Sequence, residues 1–460
     1  MSPVRSLGRI MRSLLLALLA GVVSAWLVAP SAAGGEVAPQ TCAGQPATLV
    51  GRADPDLIIR GTQHRDVIVT NGADGANALG GDDLICITAG TSTVDAGDGN
   101  DEVYSSATNP DLQLFVTLGD GVDHFDGGVG GETISTDDGA DGVNDPDVVR
   151  AGPGRDLLWG AGQDFLPFAD DVDLGDGDDI AEVPESGFMP GARLIGGPGA
   201  DVLEPVIGLE DFEDPATRKV VWQFNNSPTT GSATADGVER MTWDGFEKFY
   251  LDRVYGPVSF IGGDGYDFVA LNRLVSADLG DGDDEIDFVG GPARGRVDGG
   301  TGHDRFVSTR CGGSLTLDLG AGRYTCRRPA PRGPRTATGF PSGFEAAEVD
   351  AQQVAVRGTP RADYIKVLAC GGAVNGLGGN DRLRARFSIG RSGYYCHRSL
   401  PPMKLLGGPG EDVLNGSLLP NVLLGGSGND VLNGAGGSDL AVGGPGTDRC
   451  TAERARTCES

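Results

Sequence analysis

The sequence predicts an all-β protein folded as a parallel β-solenoid, and three observations carry that prediction. Glycine is abundant and aromatic side chains are scarce, 77 residues and 6% of a chain of 460, too few large side chains for a conventional core of this size. Apolar triplets too short to be independent strands alternate with glycine- and aspartate-rich hexapeptides along most of the chain. Toward the C-terminus the alternation holds a period of nine residues, and a fixed period separates stacked repeats from disorder of the same composition.

The chain opens on a processing segment. Arg5, Arg9 and Arg12 precede an apolar run from Leu14 to Ala29, and Ser31, Ala32 and Ala33 offer small residues for cleavage, so 1–33 reads as a signal peptide. No second long apolar run follows, so the mature chain is expected to be secreted, extracellular and without a membrane span. Eight cysteines in an exported chain point to disulfides. Many pairings are open to eight cysteines, but they fall in neighbouring couples (42 and 86, 311 and 326, 370 and 396, 450 and 458). Neighbours are expected to pair, the last couple sealing the final coil. Cys-x-x-Cys is absent, which argues against a zinc or redox centre.

The formal charge of -29 opposes compaction unless cations neutralise it and argues against a nucleic-acid partner. The one basic cluster, Arg323 to Arg335, is proline-rich and reads as a solvated loop.

Imperfect units fill 34–90, ending at Asp56, Asp66 and Asp83. They have lost turn glycines and read as stacking or capping coils with weak metal sites. From 91 to 204 the hexapeptides are better formed, with irregular spacing, and end at Asp101, Asp123, Asp156, Asp164, Asp179 and Asp201. Segment 205–256 begins with a stretch of little repeat character containing Trp222, Phe224 and Trp243, which reads as an insertion, a lateral sheet or a binding surface. It closes on Gly245-Phe246-Glu247, and a second copy of that pattern, Gly343-Phe344-Glu345, lies within 257–402. Both read as coils without metal whose phenylalanines fill the core. The hexapeptides of 257–402 end at Asp267, Asp284, Asp304 and Asp381, with one acidic turn expected per coil. Five turns carry a second acid, at Asp98, Asp120, Asp176, Asp264 and Asp281. It either strengthens a cation site or is merely tolerated at an exposed turn position.

Segment 403–449 is regular. Gly407-Gly408-Pro409-Gly410-Glu411-Asp412 and Gly425-Gly426-Ser427-Gly428-Asn429-Asp430 are each followed by Val-Leu, and the turns ending at Asp439 and at Asp448 (Gly443-Gly444-Pro445-Gly446-Thr447-Asp448) keep the register. The remaining unit ends at Asn421. Glycines admit positive φ, the aspartate supplies a carboxylate, and the triplet survives only by stacking on copies of itself. Segment 450–460 reads as a disulfide cap.

These repeats resemble the RTX, or haemolysin-type, calcium-binding repeat, G-G-x-G-x-D-x-U-x. The resemblance covers most of 45–450 by pattern and 403–449 in tight register. It implies a right-handed parallel β-helix or β-roll in which two units make one coil. Ca²⁺ would sit between stacked turns, held by carboxylates and carbonyls. The implied ligands are Asp98, Asp101, Asp120, Asp123, Asp156, Asp164, Asp176, Asp179, Asp201, Asp264, Asp267, Asp281, Asp284, Asp304, Asp381, Asp412, Asp430, Asp439 and Asp448. The roll glycines Gly407, Gly408, Gly410, Gly425, Gly426, Gly428, Gly443, Gly444 and Gly446 join them. Units eighteen residues apart share an edge, so Asp412, Asp430 and Asp448 fall together, and Asn421 weakens the opposite edge. An N-terminal leader and cysteines depart from many members of that family and argue against a toxin role.

No catalytic constellation stands out. The four histidines are scattered, and H-E-x-x-H, G-x-S-x-G and P-loop motifs are absent. The expectation is a calcium-binding protein that is not an enzyme, with extracellular glycans or a cell surface as further partners. The alternatives are an adhesive or structural surface protein and a β-helix polysaccharide lyase or epimerase.

Overall fold

The computed structural model describes residues 40–459, apart from 89, 107, 110–112, 137–144, 160–168, 185–190, 207–219, 227–229, 255, 290–292, 310, 330–332, 388–395 and 397–400. The expected leader and Asp164 lie outside the described residues.

The chain from Gln40 onward is a parallel β-solenoid with two walls. The first wall begins with Asp54–Arg60 and Ala73–Asn77 and ends with Val431–Asn433 and Arg449–Thr451, each strand pairing in parallel with its counterpart one coil away. The second wall begins as an eight-stranded parallel sheet from Leu49–Val50 to Arg193–Ile195 and ends at Arg454–Arg456. Phe344–Arg357 and Tyr364–Asn375 are long because each runs along the first wall, bends and continues along the second, pairing with its neighbours on both.

Stacked triplets explain the core. The central residue of each first-wall triplet points inward and meets its equivalent in the next coil. Leu203, Phe249, Val269, Ile286, Phe306, Ala347, Ile365, Leu383, Leu414 and Leu432 form one such file, each no more than 1% exposed. Burying one such aliphatic or aromatic side chain contributes roughly 1.5–3 kcal/mol, too little for a lone coil and enough for a stack.

The second wall is interrupted twice by antiparallel meanders. Trp222–Asn225, Gly231–Ala235 and Val238–Trp243 form the first insert. It enters the wall beside Ile195 through Asp244 and leaves it beside Val258–Ile261. Ser314–Asp318, Arg323–Arg328 and Arg335–Ser342 form the second, between Gly295–Asp298 and the far half of Phe344–Arg357. Each insert adds two strands to the wall, and each is followed by a Gly-Phe-Glu turn. The repeated sequence pattern therefore marks a repeated architectural device. Of the readings for 205–244, the lateral sheet is found over 222–243, with Trp222, Phe224 and Trp243 buried in the core. Gly231 makes room for this packing, since a Cβ there would fall 1.9 Å from Nε1 of Trp243.

The reading of Arg323 to Arg335 as a solvated loop is corrected for its flanks: Arg323–Arg328 is a strand and Arg335 opens another, while Pro329, Gly333 and Pro334 are exposed and outside any strand. The two strands alternate strictly. Tyr324, Cys326 and Ala337 are buried, while Arg323, Arg327, Thr336 and Thr338 face out.

The four disulfides join sequence neighbours, Cys42–Cys86, Cys311–Cys326, Cys370–Cys396 and Cys450–Cys458. The first ties the N-terminal Thr41–Cys42 and Gln45–Pro46 hairpin to the second wall, and the last closes the final coil. Arg449, Arg454 and Arg456 are exposed on the terminal strands, where charge discourages edge-to-edge pairing.

Candidate metal centre: a buried carboxylate ladder

The last residue of each acidic turn stands at the start of the next strand or immediately before it, so equivalent residues lie one strand spacing apart, about 4.8 Å. That spacing lets a carboxylate reach the backbone of the neighbouring coil. Asp363 donates its N–H to Asp381 Oδ1 at 2.9 Å, Asp381 to Asp412 at 2.8 Å, Asp412 to Asp430 at 2.9 Å and Asp430 to Asp448 at 2.9 Å. The same rungs link Asp156, Asp179 and Asp201 at 2.7 and 2.8 Å, and Asp267, Asp284 and Asp304 at 2.8 and 2.9 Å. These ladder residues are buried.

The ladder changes edge along the chain. Asp66, Asp83, Asp101, Asp123, Asp147 and Asp170 are linked in sequence ahead of second-wall strands. From Glu132 and Asp156 onward the rungs stand ahead of first-wall strands. In the C-terminal roll the opposite edge returns, with Asn421 donating to Asp439 Oδ1 at 2.8 Å.

Glutamates complete the ladder, and sequence reading missed them. Asp201 donates to Glu247 Oε2 at 2.9 Å, Asp304 to Glu345 Oε2 at 3.3 Å, Asp439 to Glu453 Oε2 at 2.8 Å, and Asp448 to Glu459 Oε2. Glu247 and Glu345 belong to the short Gly-Phe-Glu turns, where one more methylene replaces the reach that a full hexapeptide gives aspartate. The repetition of that tripeptide was the available signal. An outer ladder runs beside the inner one, with Asn100 donating its N–H to Asp82, Val122 to Asn100 and Thr447 to Asn429 at 2.9–3.0 Å.

The inner rungs are of two kinds. In closed rungs the second carboxylate oxygen accepts an N–H of its own turn. Thr62 serves Asp66 at 2.8 Å, Gly263 serves Asp267 at 2.7 Å and Thr359 serves Asp363 at 2.6 Å. In open rungs Oδ2 is buried without a hydrogen-bond partner, as in Asp101, Asp123, Asp156, Asp179, Asp201, Asp284, Asp304, Asp381, Asp412, Asp430, Asp439 and Asp448.

Glycine shapes the space beside an open oxygen. A Cβ on Gly407 would lie 2.2 Å from Asp412 Oδ2 and 2.6 Å from the carbonyl oxygen of Gly425; on Gly425 the corresponding distances are 2.3 Å to Asp430 Oδ2 and 2.7 Å to Gly443 O. A carboxylate oxygen and the next coil's carbonyl thus face one small space that only glycine leaves open. Gly443 repeats the arrangement, with Asp448 Oδ2 and Thr457 O each at 2.3 Å. Gly408, Gly410, Gly426, Gly428, Gly444 and Gly446 all have φ between 122° and 147°, a conformation that disfavours any side chain.

Asn421 shows what such a rung requires. Its Nδ2 donates to Ser417 O at 3.1 Å, Gly434 O at 3.3 Å and Asp439 Oδ1 at 3.0 Å, and also to Leu419 O. Four oxygens gather round an amide donor. An aspartate in the same place turns an anionic oxygen toward those acceptors, which is tolerable only with a proton or a cation between them. Burial, followed by repulsion between rungs, drives the carboxyls toward protonation. Asp101, Asp179, Asp201, Asp284 and Asp381 are pushed up to about 7, Asp123 to about 8 and Asp412 to about 6, against a partial lowering by the inter-rung N–H. The donors are all oxygen, which suits a hard cation. Among the described residues no three acidic, histidine or cysteine side chains converge, so a cation here would draw most of its ligands from carbonyls.

The expected second acids stand apart from the inner ladder. Asp98, Asp176, Asp264 and Asp281 are exposed and Asp120 is half-buried, and Asp281 Oδ1 accepts Thr301 Oγ1 at 2.6 Å from the next coil. Asp267 is brought into the ladder as a closed rung. No protein-family model matches this chain, and no curated protein matches it.

Proposed function

We propose that this chain is an exported calcium-binding solenoid that rigidifies when calcium neutralises its open rungs. The contrast between Asn421, whose amide satisfies the surrounding oxygens, and the open aspartates, whose second oxygen faces a carbonyl across a glycine-lined space, carries this reading. Asp412, Asp430 and Asp448, with the carbonyls of Gly425, Gly443 and Thr457, are the residues best placed to hold the ion. Calcium supplies the positive charge that a buried row of carboxylates lacks. The chain's own part is to hold carboxylates at strand spacing through the inter-rung N–H bonds and to keep bulk out of the turns with glycine. The role is structural, with no catalytic step ascribed to it. The leader-like N-terminus and four disulfides support export, since such bonds persist outside reducing compartments.

Calcium affinity of about 10⁻⁴–10⁻³ M, the range of extracellular modules, is expected. Calcium titration of chain 34–460, followed by circular dichroism and calorimetry, tests it. Saturable binding with a gain in β-signal and thermal stability is expected. Identical spectra and melting in chelator and in millimolar calcium would refute the proposal.

A further inference from the structure

The arginines of the second insert make a surface that the carboxylate ladder does not explain. On the outer face of the second wall, Arg296 pairs in register with Phe340, and Arg323 lies beside Phe340, one residue beyond the Tyr324–Gly339 pair. Asp318 follows opposite Arg323, and Arg357 follows opposite Asp318. The three arginines therefore stand on alternate strands, about 10 Å apart. A parallel row beside them is hydroxylic, with Thr338, Thr325 and Thr316 in direct register. Arg327 extends the charge beyond that row, in register with Thr336.

Three features mark this face as a binding surface. Arg296, Arg323 and Arg327 are exposed and make no ion pair among the described residues, while Arg357 has only a 3.9 Å contact with Asp318. The half-buried Arg253 and Arg305, by contrast, are paired, Arg253 with Glu182 and Glu204 and Arg305 with Glu285 and Glu348. Phe340 is 58% exposed in the middle of the arginine row, an aromatic ring left in water on a flat sheet. The first insert presents Gln223, Asn225, Ser232 and Thr234 on two strands and the exposed Glu239 and Arg240 on the third, so a row of unpaired arginines is not a by-product of the architecture.

We propose that this face binds an extracellular polysaccharide bearing a carboxylate on every second sugar. Such a chain spaces its charges widely, as the arginines are spaced. Arg forks match carboxylates, threonine hydroxyls serve the sugar hydroxyls, and Phe340 offers a ring face to sugar C–H groups. A polyphosphate fits less well, because its dense charge would meet few cations within a Debye length of about 8–10 Å on a chain whose net charge is -29. The surface is independent of the calcium reading.

Retention of the full mature chain on immobilised hyaluronan tests this, in millimolar calcium and again in magnesium. The wild-type chain is expected to bind at low salt, to be released by salt, and to ignore neutral chitin oligosaccharides. The triple variant Arg296→Ser, Arg323→Ser, Arg327→Ser should bind about tenfold or more weakly, with an unchanged circular dichroism spectrum. Phe340→Ala should weaken binding several-fold. Replacing Arg382 and Arg384, exposed on the other wall, should leave it unchanged. Failure of the wild-type chain to bind would overturn the proposal, as would equal binding by the triple variant, or single-stranded DNA held more tightly than hyaluronan. Retention lost in magnesium but kept by the triple variant would show bridging by calcium and equally refute it.

Discussion

The C-terminal roll and the coils around the two inserts share one architecture and are held by different forces. In the roll the inward file is Leu405, Leu414, Leu423, Leu432 and Ala441, aliphatic and thin, and the turns carry open rungs on both edges. Around the inserts the file thickens. Phe249 meets Phe260 at 5.1 Å, Phe288 meets Phe306 at 5.5 Å, and Phe306 meets Tyr324 and Phe344 at 5.7 and 5.6 Å. Cys311–Cys326 staples the second insert, and glutamate or closed rungs at Glu247, Asp267 and Glu345 flank the open rungs Asp284 and Asp304 there. Where aromatic burial is available the turns become irregular; where it is not, regular turns and their carboxylates must supply the order.

Calcium removal should therefore break the two regions apart. Chelation is expected to abolish amide protection across 403–451 while leaving 258–349 protected, as read by hydrogen exchange with and without chelator. Equal loss in both regions would place the metal dependence in the whole rod and defeat the comparison.

Acidity should act on the metal-free chain in a direction opposite to ordinary acid denaturation. Burial pushes the carboxyls of Asp101, Asp123 and Asp412 up to about 7, 8 and 6, above the unfolded value of about 3.9. The folded state then binds more protons between those limits, so stability falls as pH rises through the window. In chelator the melting temperature should drop from pH 5 to pH 8, most of all for coils containing Asp101 and Asp123, and calcium should suppress the drop. A rising melting temperature would contradict the assignment of these oxygens as unpaired.

Truncating the aromatic file should do the reverse of chelation. Phe306→Ala is expected to destabilise the insert region by about 3–5 kcal/mol, equally in calcium and in chelator. A calcium-dependent loss would mean the aromatic region is not self-sufficient. Within the roll, Asp430 links Asp412 to Asp448, whereas Asp439 stands between Asn421 and Glu453. Asp430→Ala should remove more bound calcium than Asp439→Ala by calorimetry of the whole chain, and should cost about 1–3 kcal/mol from lost rungs. Equal calcium losses would show that both edges bind alike.

Much of this was legible in residues. The nine-residue period gave the stacking of Asp412, Asp430 and Asp448, and the apolar triplets gave the inward file. The cysteine couples gave the bridges because each joins nearby coils. What escaped was set by length and direction. Glu247 and Glu345 look like ordinary surface acids until the shortened turn shows why the longer side chain is needed. The change of edge, with both edges laddered from Glu132 to Asp170, leaves no mark in composition, because the hexapeptides read alike on either edge. The second insert hid behind its prolines and arginines, although Tyr324 and Cys326 alternate with outward residues as a strand requires. The first insert's alternation, Trp222-Gln223-Phe224-Asn225, was present, but its antiparallel partner Gly231–Ala235 is built of small residues that leave room for Trp243.

The smallest change tests the ladder most directly. Asn421 already donates to Ser417 O, Leu419 O, Gly434 O and Asp439 Oδ1, so its rung needs no ion. Asn421→Asp removes those donors and faces an anionic oxygen toward the same acceptors, one of them a carboxylate. Backbone and volume hardly change, so the effect isolates charge. In chelator the variant should lose about 1–3 kcal/mol, the usual penalty for a buried polar group left unsatisfied. In calcium it should recover most of that loss and bind one ion more than the wild-type chain, because the rung then resembles the open ones at Asp412 and Asp430. Ser417 and Leu419 stand where the turns ending at Asp412, Asp430 and Asp448 have glycine, and this sets a limit on the recovery. Converting Ser417 and Leu419 to glycine in the same chain should remove that limit. A variant as stable as wild type in chelator, with no added calcium, would mean that the open rungs are satisfied by protons alone.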